Sequence, residues 1–207
     1  MNDSGRSSVV VVAETPLSRH LAAGKVPRRS PMDAFELARR RYLAGDRVDM
    51  QDLAVELGIS RATLFRWVGN RDQLIAEVIW SLTEPALDQA AAEAAGRGGA
   101  RIAAIVETFT RGIIEADYFH TFVSREPEAT LRLMTTRASV VQRRIVAKIQ
   151  SFLQEEVDRG ALVPPMDLPD LAYVITRIGE SFVYADLITG DEPDATKPAA
   201  AVAALLR

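Results

Sequence analysis

The sequence predicts an all-α fold, and three observations carry that prediction. Apolar residues recur three and four positions apart along most of the 207 residues, which is the spacing of one helix face. Glycine and proline interrupt these stretches at intervals typical of helix ends. No segment alternates convincingly between apolar and polar residues and no internal repeat is evident, so the sequence gives no support to a sheet or a solenoid.

Residues 1–30 differ from the rest because they mix Ser, Gly and Pro with isolated charges and show no sustained period. This composition predicts a flexible N-terminal arm with one helical turn near residues 17–23. Arg28 and Arg29 at its end could reach a phosphate or the minor groove of DNA, although an unstructured tail fits the same residues equally well.

The first two helices follow the arm. Apolar residues at helical spacing predict a helix from about Met32 to Ala44. A second, shorter helix begins at Met50, where Asp49 supplies the N-cap oxygen. Gly58 closes it, because glycine adopts the left-handed turn conformation at little cost.

Two further caps predict the third and fourth helices. Ser60 caps a third helix over Arg61–Val68. Asn70 caps a fourth helix, which extends across Pro85 to about residue 95. Beyond a glycine-rich break, five more helices are predicted at about 100–117, 119–124, 127–158, 168–189 and 195–206. Thr135 and Thr136 mark a candidate break within the third of these.

The segment Met50–Val68 has the features of a helix-turn-helix. Two helices that cross at a steep angle need a small residue at their closest approach, here Ala54, and a glycine at the turn, here Gly58. Ile59 plugs the turn and Leu64 anchors the second helix. The second helix is then free to enter the major groove, so the segment predicts DNA binding.

The outward residues of this second helix are the candidate base readers. Arg61 can bind guanine O6 and N7 in bidentate fashion, and Thr63 can contact a phosphate or a thymine methyl group. Trp67 offers a broad apolar face with one donor, and Arg66 is a phosphate contact or a neighbouring reader. The competing interpretation is that all four are solvated residues on a short helix.

The segment resembles the DNA-binding domain of the TetR family of regulators. The family pattern Ala-x-x-x-Gly-Val-Ser-x-x-Thr-Leu-Tyr-x-x-Phe corresponds here to Ala54, Gly58, Ile59, Ser60, Thr63, Leu64, Phe65 and Val68. The segment Ala62–Arg71 is most similar in sequence to an actinobacterial, QsdR-like subgroup of that family. The DNA-binding candidates, from the residues and the resemblance together, are Ser60, Arg61, Thr63, Phe65, Arg66, Trp67 and Arg71.

Three departures from the family pattern affect this site. Phe65 replaces Tyr, so the hydroxyl contact to phosphate that the resemblance implies is lost. Val68 replaces a packing Phe, and Trp67, where His is common, is expected to restore some of the volume. Arg71 replaces Lys and is expected to bind phosphate, helped by the positive N-terminal end of the fourth helix.

The remainder of the chain is too long and too apolar to serve the helix-turn-helix alone. The resemblance implies a DNA-binding domain over 31–75 and a helical ligand-binding and dimerisation domain over 76–207. The predicted helix 168–189 supports this independently, because it is apolar on two faces and therefore buried on both. One face carries Leu171, Ile175, Ile178 and Phe182, and the other carries Tyr173, Val174, Val183 and Tyr184. A homodimer through the last two helices, with Ala199, Val202, Ala203 and Leu206 continuing the surface, is the simplest account.

Small-molecule sites combine aromatic and aliphatic residues with a few polar groups. On that basis the candidate effector-binding residues are Trp80, Phe109, Ile113, Phe122, Met134 and Tyr173, with Arg177 and Glu180 as orienting polar groups. For each apolar candidate taken separately, an ordinary core position is the stronger interpretation, and Arg177 and Glu180 could simply pair with each other. The subgroup resemblance implies a small apolar or lactone-like effector.

Composition excludes several other classes. The chain has no cysteine, so disulfides and thiolate metal sites are absent. The apolar run Val9–Ala13 is too short for a signal peptide or a membrane span, which predicts a soluble, cytoplasmic protein with no membrane partner. The net charge is +3 over residues 1–72 and −6 over residues 73–207, which suits a protein that presents one end to a polyanion.

An enzyme is not expected, and neither a metal nor a cofactor is. His20 and His120 lie far apart, and neither belongs to a hydrolase or metalloprotease motif. His120 is interpreted as a capped or core histidine, and Glu155 and Glu156 as solvated surface. The sequence therefore predicts a regulator that binds a palindromic operator in double-stranded DNA, and repression released by an effector is the family's habit. The alternative is a helical protein-interaction module whose helix-turn-helix no longer binds DNA.

Overall fold

The computed structural model describes residues 29–136 and 140–207, and every regular element in those two stretches is an α-helix. The helices are α1 (Pro31–Leu43), α2 (Met50–Leu57), α3 (Arg61–Val68), α4 (Arg71–Glu93), α5 (Gly98–Ile114), α6 (Asp117–Arg125), α7 (Pro127–Thr135), α8 (Val140–Asp158), α9 (Leu168–Val183), α10 (Ala185–Ile188) and α11 (Thr196–Leu205). The all-α prediction is confirmed. The expectations for the arm up to Arg28, with its helical turn and His20, lie outside the described residues.

The caps inferred from the sequence form as predicted around α2 and α3. The Asp49 carboxylate accepts hydrogen bonds from the backbone N–H groups of Gln51 at 2.7 Å and Asp52 at 3.2 Å. Gly58 has φ +65°, the left-handed conformation that ends α2. Ser60 Oγ accepts a hydrogen bond from the N–H of Thr63 at 3.1 Å and starts α3. These local bonds fix the orientation of α3.

α4 joins the two parts of the chain. It begins with a capping box in which Asn70 and Gln73 exchange two hydrogen bonds of 2.8 Å. The helix then continues without interruption for 23 residues, through Pro85, to Glu93. The predicted domain boundary between residues 75 and 76 therefore falls inside a helix.

The C-terminal helices differ from prediction at several ends. The helix predicted over 100–117 begins earlier, at Gly98, whose N–H donates to Glu156, and ends at Ile114. The helix predicted over 119–124 is one turn longer. The candidate break in 127–158 is confirmed, since α7 ends at Thr135.

The helix predicted over 168–189 is shorter than expected. α9 ends at Val183, and α10 is a separate short helix. Val183 is 8% exposed and Tyr184 is 2% exposed, so both are buried within their own subunit and offer nothing to a partner. The second apolar face of α9 is consequently smaller than the sequence predicts, with Tyr173 as its exposed aromatic residue.

The core lies where α4, α5, α8 and α9 pack together. α9 packs mainly on α8, α11 mainly on α5, and α4 on both α5 and α8. Fully buried side chains from all four helices meet there: Leu87, Ile102, Ile105, Leu153, Leu171 and Ile175. Among the described residues, no helix combines the length and hydropathy needed to cross a membrane.

The interpretation of Glu155 and Glu156 as solvated surface is wrong for Glu156. Its side chain is fully buried and accepts hydrogen bonds from Gly98 N–H at 2.6 Å, Arg101 at 3.1 Å and Arg159 at 2.5 Å. Burial raises its pKa, but these donors outweigh burial and hold the pKa below the ordinary value. Glu156 ties the start of α5 to the end of α8.

Candidate DNA-reading surface and effector cavity

The surface of α3 is set by one buried residue. Leu64 is fully buried, and this anchor turns Arg61, Ala62 and Arg66 outward, where all three are exposed. The two arginines carry the only formal charges on α3, and both are positive. The helix thus presents a short cationic face, as a major-groove reader requires.

Thr63 is held in place by the cap of the same helix. Ser60 Oγ donates to Thr63 Oγ1 at 3.0 Å while accepting from the Thr63 N–H. The Thr63 hydroxyl is therefore an acceptor for Ser60, and its own hydrogen stays available for a phosphate or a base. Ser60 is committed to the cap, which favours a positioning role for it.

Phe65 and Arg61 lie one helical turn apart and contact each other. Phe65 is 40% exposed, and the guanidinium carbon of Arg61 lies 5.8 Å from the centroid of its ring. A cation over an aromatic face at this distance is attracted to it. Phe65 therefore restricts Arg61 even though it lacks the hydroxyl of the family's tyrosine.

Trp67 is less available for base reading than the sequence suggests. Its side chain is half-buried and packs against the hydrophobic core together with Val68. The two line a groove that also contains Phe35 and Met32 of α1. This packing agrees with the expectation that a larger Trp67 fills space left by Val68.

Arg71 is paired within the protein. Its Nη1 and Nη2 donate to the two oxygens of Glu126 at 2.7 and 2.6 Å, and its Nε donates to the Val48 carbonyl at 2.6 Å. Glu126 lies between α6 and α7, so this fork connects the start of α4 to the C-terminal helices. A phosphate would have to compete with Glu126 for the same guanidinium.

An apolar cavity lies between α4, α5, α7, α8 and α9. The space between its lining atoms is about 540 Å³, including the part that opens to solvent. Its lining is Leu87, Val106, Phe109, Thr110, Ile113, Met134, Ile145, Ile149, Ile175, Thr176, Gly179, Glu180, Val183 and Tyr184. Four of the eight sequence candidates lie in this set: Phe109, Ile113, Met134 and Glu180.

The other four candidates lie elsewhere. Trp80 stacks under the Arg144 guanidinium, 5.5 Å from it, and Phe122 packs against Tyr42 with ring centroids 5.2 Å apart. Tyr173 is 49% exposed on the outer side of α9. Arg177 reaches the site only through Glu180, whose Oε2 accepts its hydrogen bond at 2.5 Å, as the i and i+3 spacing allows.

Sequence reasoning missed the hydroxyl groups of the cavity. Thr110, Thr176 and Tyr184 line it, and each is buried. A polar residue on the apolar face of α5, as Thr110 is, could have been noticed in the sequence. The position of Tyr184 depends on the turn after α9 and had no local signal.

Glu180 is the distinctive group of the cavity. Its Oε1 is buried and has no hydrogen-bond partner, although Oε2 is paired with Arg177. Burial raises the pKa of Glu180 to about 7, against the opposing effect of Arg177. The pKa of Tyr184 is raised as well, by burial and by the nearby Glu180 charge.

A second cavity adjoins the first. It shares Phe109, Ile113 and Met134 with it and extends to Tyr42 on α1 and Ile79 on α4, with about 530 Å³ between its lining atoms. The walls of the two cavities thus reach from α9 to the helix that packs behind the helix-turn-helix.

His120 is a capped histidine and not a core one. Its ring is exposed, and Nε2 contacts the carbonyl of Ile114 at the end of α5. Within the described stretches no group of three His, Asp or Glu side chains is placed to hold a metal ion.

Comparison with known proteins gives matches to a family model and to solved structures. A family model described as the tetracyclin repressor-like C-terminal domain matches residues 97–207, more than half of the chain. The structure of the transcriptional repressor QsdR of the TetR family, from R. erythropolis, is 29% identical, with a TM-score of 0.79 over 85% of this chain and 93% of QsdR. The TetR family transcriptional regulator PfmR from Thermus thermophilus is 18% identical, with a TM-score of 0.37 over 84% of this chain and 92% of PfmR. No protein of curated function matches the chain.

Two separate parts of the chain therefore support the same family assignment. The helix-turn-helix of residues 50–68 has the spacing and exposure of a DNA reader, and the helices that follow match the regulatory domain of the same family. Members of this family bind DNA, act as dimers and are regulators without enzymatic activity. The chain belongs to the TetR family and is a DNA-binding transcriptional regulator.

Proposed function

We propose that the protein is a homodimeric repressor whose hold on a palindromic operator is released by a small, apolar effector. The continuity of α4 carries this proposal, because its start holds Arg71 beside the DNA-reading helix and Leu87, further along, lines the cavity. The DNA-binding part is residues 31–75, and residues 76–207 bind the effector and the partner subunit. QsdR is itself described as a transcriptional repressor, which supports the direction of regulation.

Operator reading is assigned to the outward residues of α3. Arg61 and Thr63 contact bases, with Phe65 and Ser60 holding them in position as described above. Arg66 contacts phosphate or a neighbouring base, and Trp67 contributes its exposed edge. Two such helices in a two-fold dimer must lie about 34 to 36 Å apart to enter successive major grooves.

Dimerisation is assigned to the last two long helices, α9 and α11. Ala199, Val202 and Leu206, which the sequence predicts on this surface, are buried within their own subunit and do not contribute to it. Tyr173 on α9 is 49% exposed, and Ile188 just beyond it is 61% exposed, although both are large and apolar. Tyr173 and Ile188 lie on two successive helices, α9 and α10, and large apolar side chains exposed there favour a protein partner over solvent. The partner in a family of dimers is a second copy of this chain.

The effector acts through α4 and α1. A molecule in the cavity contacts Leu87 on α4. It also displaces the shared residues Phe109, Ile113 and Met134, and they in turn displace Tyr42. A shift of α4 changes the spacing of the two reading helices. A coupling of about 1 to 3 kcal/mol would weaken operator binding about 5-fold to 150-fold.

The operator is found by affinity selection from a random DNA pool. The selected site is then titrated with wild-type protein and with an Arg61→Ala, Thr63→Ala double variant. The variant keeps the α3 cap, because Ser60 bonds to the backbone N–H of residue 63. We expect a palindrome whose affinity falls at least about 10-fold in the variant, since each base contact contributes about 1 to 3 kcal/mol.

Arg97→Ala is the matched control, because Arg97 is also exposed but lies at the start of α5. It should leave operator affinity unchanged. An operator bound equally well by the double variant would contradict base reading by α3. The absence of any enriched sequence would favour a protein-interaction module over a regulator.

A further inference from the structure

The polar groups of the cavity differ in how well they are satisfied. The Thr176 hydroxyl donates to the carbonyl of Ala172 at 2.8 Å, as buried helical threonines commonly do. Glu180 Oε2 is bound by Arg177. Glu180 Oε1 is the buried side-chain oxygen that lacks a partner within the described part of the chain.

An unpaired buried carboxylate oxygen is costly, and native proteins rarely retain one without a reason. The surroundings do not remedy it. The lining residues from other helices include Leu87, Phe109, Met134 and Ile145, none of which can donate a hydrogen bond. The hydroxyls of Thr110 and Tyr184 also line the cavity, but neither bonds to Oε1 of Glu180. A molecule bound in the cavity can donate a hydrogen bond to Oε1.

We infer that the effector is an uncharged, mainly apolar molecule that carries a hydroxyl group, and that this hydroxyl donates a hydrogen bond to Oε1 of Glu180. The inference rests on the proposed function, because it names the chemistry of the effector. The apolar lining holds the body of the molecule, and the single bare acceptor fixes its orientation.

Charge balance distinguishes a hydroxyl group from charged groups. The negative charge of Glu180 is already matched by Arg177, so an ammonium group would leave an unmatched positive charge in an apolar space. A carboxylate would be repelled by Glu180 and would leave Oε1 without a donor. Tyr184 is the other titratable residue of the described lining, and it stays neutral.

Protonation of Glu180 would alter this selectivity. Its pKa of about 7 means that the carboxylate dominates at about pH 8.5 and the acid at about pH 5.5. The acid can itself donate a hydrogen bond, so it accepts ligands that carry only an acceptor. A preference for a donor should therefore weaken at low pH.

The test uses four probes with equal numbers of heavy atoms: heptan-1-ol, its isomer 1-methoxyhexane, heptylamine and hexanoate. Affinities are obtained from the rise of the thermal unfolding midpoint with probe concentration at about pH 8.5. We expect heptan-1-ol to bind about 10-fold more tightly than 1-methoxyhexane, since one donates to the carboxylate and the other cannot. Both charged probes should bind more weakly than the alcohol.

Glu180→Gln should reduce the preference of alcohol over ether to about 2-fold or less, because the amide both donates and accepts. Glu84→Gln is the control, since it makes the same change at an exposed position of α4 and should keep the preference. Measuring the wild-type protein at about pH 5.5 should reduce the preference of alcohol over ether as Glu180→Gln does. Retention of the full preference in Glu180→Gln would overturn the assignment to Oε1.

Operator affinity is measured in parallel with each probe. Equal binding of alcohol and ether, with operator release by both, would overturn the hydroxyl requirement and leave the proposed function standing. Tighter binding of heptylamine or hexanoate than of heptan-1-ol would overturn the uncharged class. No binding by any of the four would overturn the cavity as an effector site and, with it, the sensor part of the proposed function.

Discussion

A buried and a partly buried glutamate on adjacent, packed helices show how differently one fold can treat the same side chain. Glu156 near the end of α8 is fully buried, and Glu180 on α9 has a side chain that is 13% exposed. Glu156 is surrounded by three donors, which occupy both of its oxygens. Glu180 has a partner for one oxygen only, and the other has none.

Burial and the donors around each carboxylate together decide the protonation of these two groups. Burial raises the pKa of both, but donors reverse the effect at Glu156 and fail to do so at Glu180. A saturated carboxylate stabilises the fold, whereas a half-saturated one destabilises it while ionised. The donors around Glu156 therefore stabilise the fold, whereas the unpaired oxygen of Glu180 can still accept a hydrogen bond from a ligand.

The largest effect expected from this contrast is on Glu156. Replacing it by Ala leaves the Arg101 guanidinium, 13% exposed, and the Gly98 N–H without their buried acceptor. We expect Glu156→Ala to lower the free energy of unfolding by about 3 kcal/mol, as when one partner of a buried ion pair is removed. Urea unfolding at neutral pH measures it.

Glu155→Ala is the matched control, one residue away. Glu155 is 44% exposed and lies at longer distances, 3.4 Å and 3.6 Å, from the same two arginines. Its loss should cost less than about 1 kcal/mol, as for other exposed ion pairs. Equal losses for the two variants would show that saturation by donors does not distinguish Glu156.

The second effect has the opposite sign. Because the folded pKa of Glu180 is above its unfolded value, ionising this group destabilises the fold as pH rises from about 4.5 to about 7. Glu180→Gln removes the charge, so we expect it to stabilise the protein by about 2 kcal/mol at pH 8 and hardly at all at pH 5. Thermal and urea unfolding at both pH values measure the difference.

Glu84→Gln, at an exposed site on α4, is the control and should leave the free energy of unfolding nearly unchanged. Glu156 provides the internal contrast, because its lowered pKa contributes stability above its unfolded value that is lost as pH falls through the folded one. If Glu180→Gln destabilised the protein at pH 8, the unpaired Oε1 could not be a cost to the fold.

Sequence alone could not separate these two glutamates. Both lie in amphipathic helices, and the donors that distinguish them come from distant parts of the chain, such as Gly98 for Glu156. A local pattern contains no information on whether a helix position faces solvent, a guanidinium or a cavity. This is why the sequence predicts a solvent-exposed position for Glu156.

The helix-turn-helix could be predicted because its determinants are local. Asp49 and Ser60 each bond to backbone groups within three residues, and Gly58 needs only its own left-handed conformation. Four cavity residues were also found from composition, whereas Tyr173 was misplaced because the packing of α9 decides which of its apolar faces is inward. The helices could be predicted because short-range interactions determine them, whereas the cavity depends on tertiary packing.

A third glutamate extends the comparison to the DNA-binding end and gives the smallest expected effect. Glu126 is saturated as Glu156 is, since both of its oxygens are bound by Arg71, but its side chain is 24% exposed and its partner lies close to α3 in the chain. Glu126→Gln removes the charge that competes with phosphate for Arg71. We expect operator affinity to rise about 5-fold, close to 1 kcal/mol.

The salt dependence of operator binding tests the reason for that rise. Each additional phosphate contact should steepen the slope of log K against log salt by about 0.9. Glu128→Gln, exposed two residues further along, removes the same charge without touching Arg71 and should leave the slope unchanged. A 5-fold rise with an unchanged slope would mean that Glu126 acts by holding α4 to the C-terminal helices and not by occupying Arg71. Glu126 would then have the same role as Glu156, which is to hold two helices together through hydrogen bonds to both carboxylate oxygens.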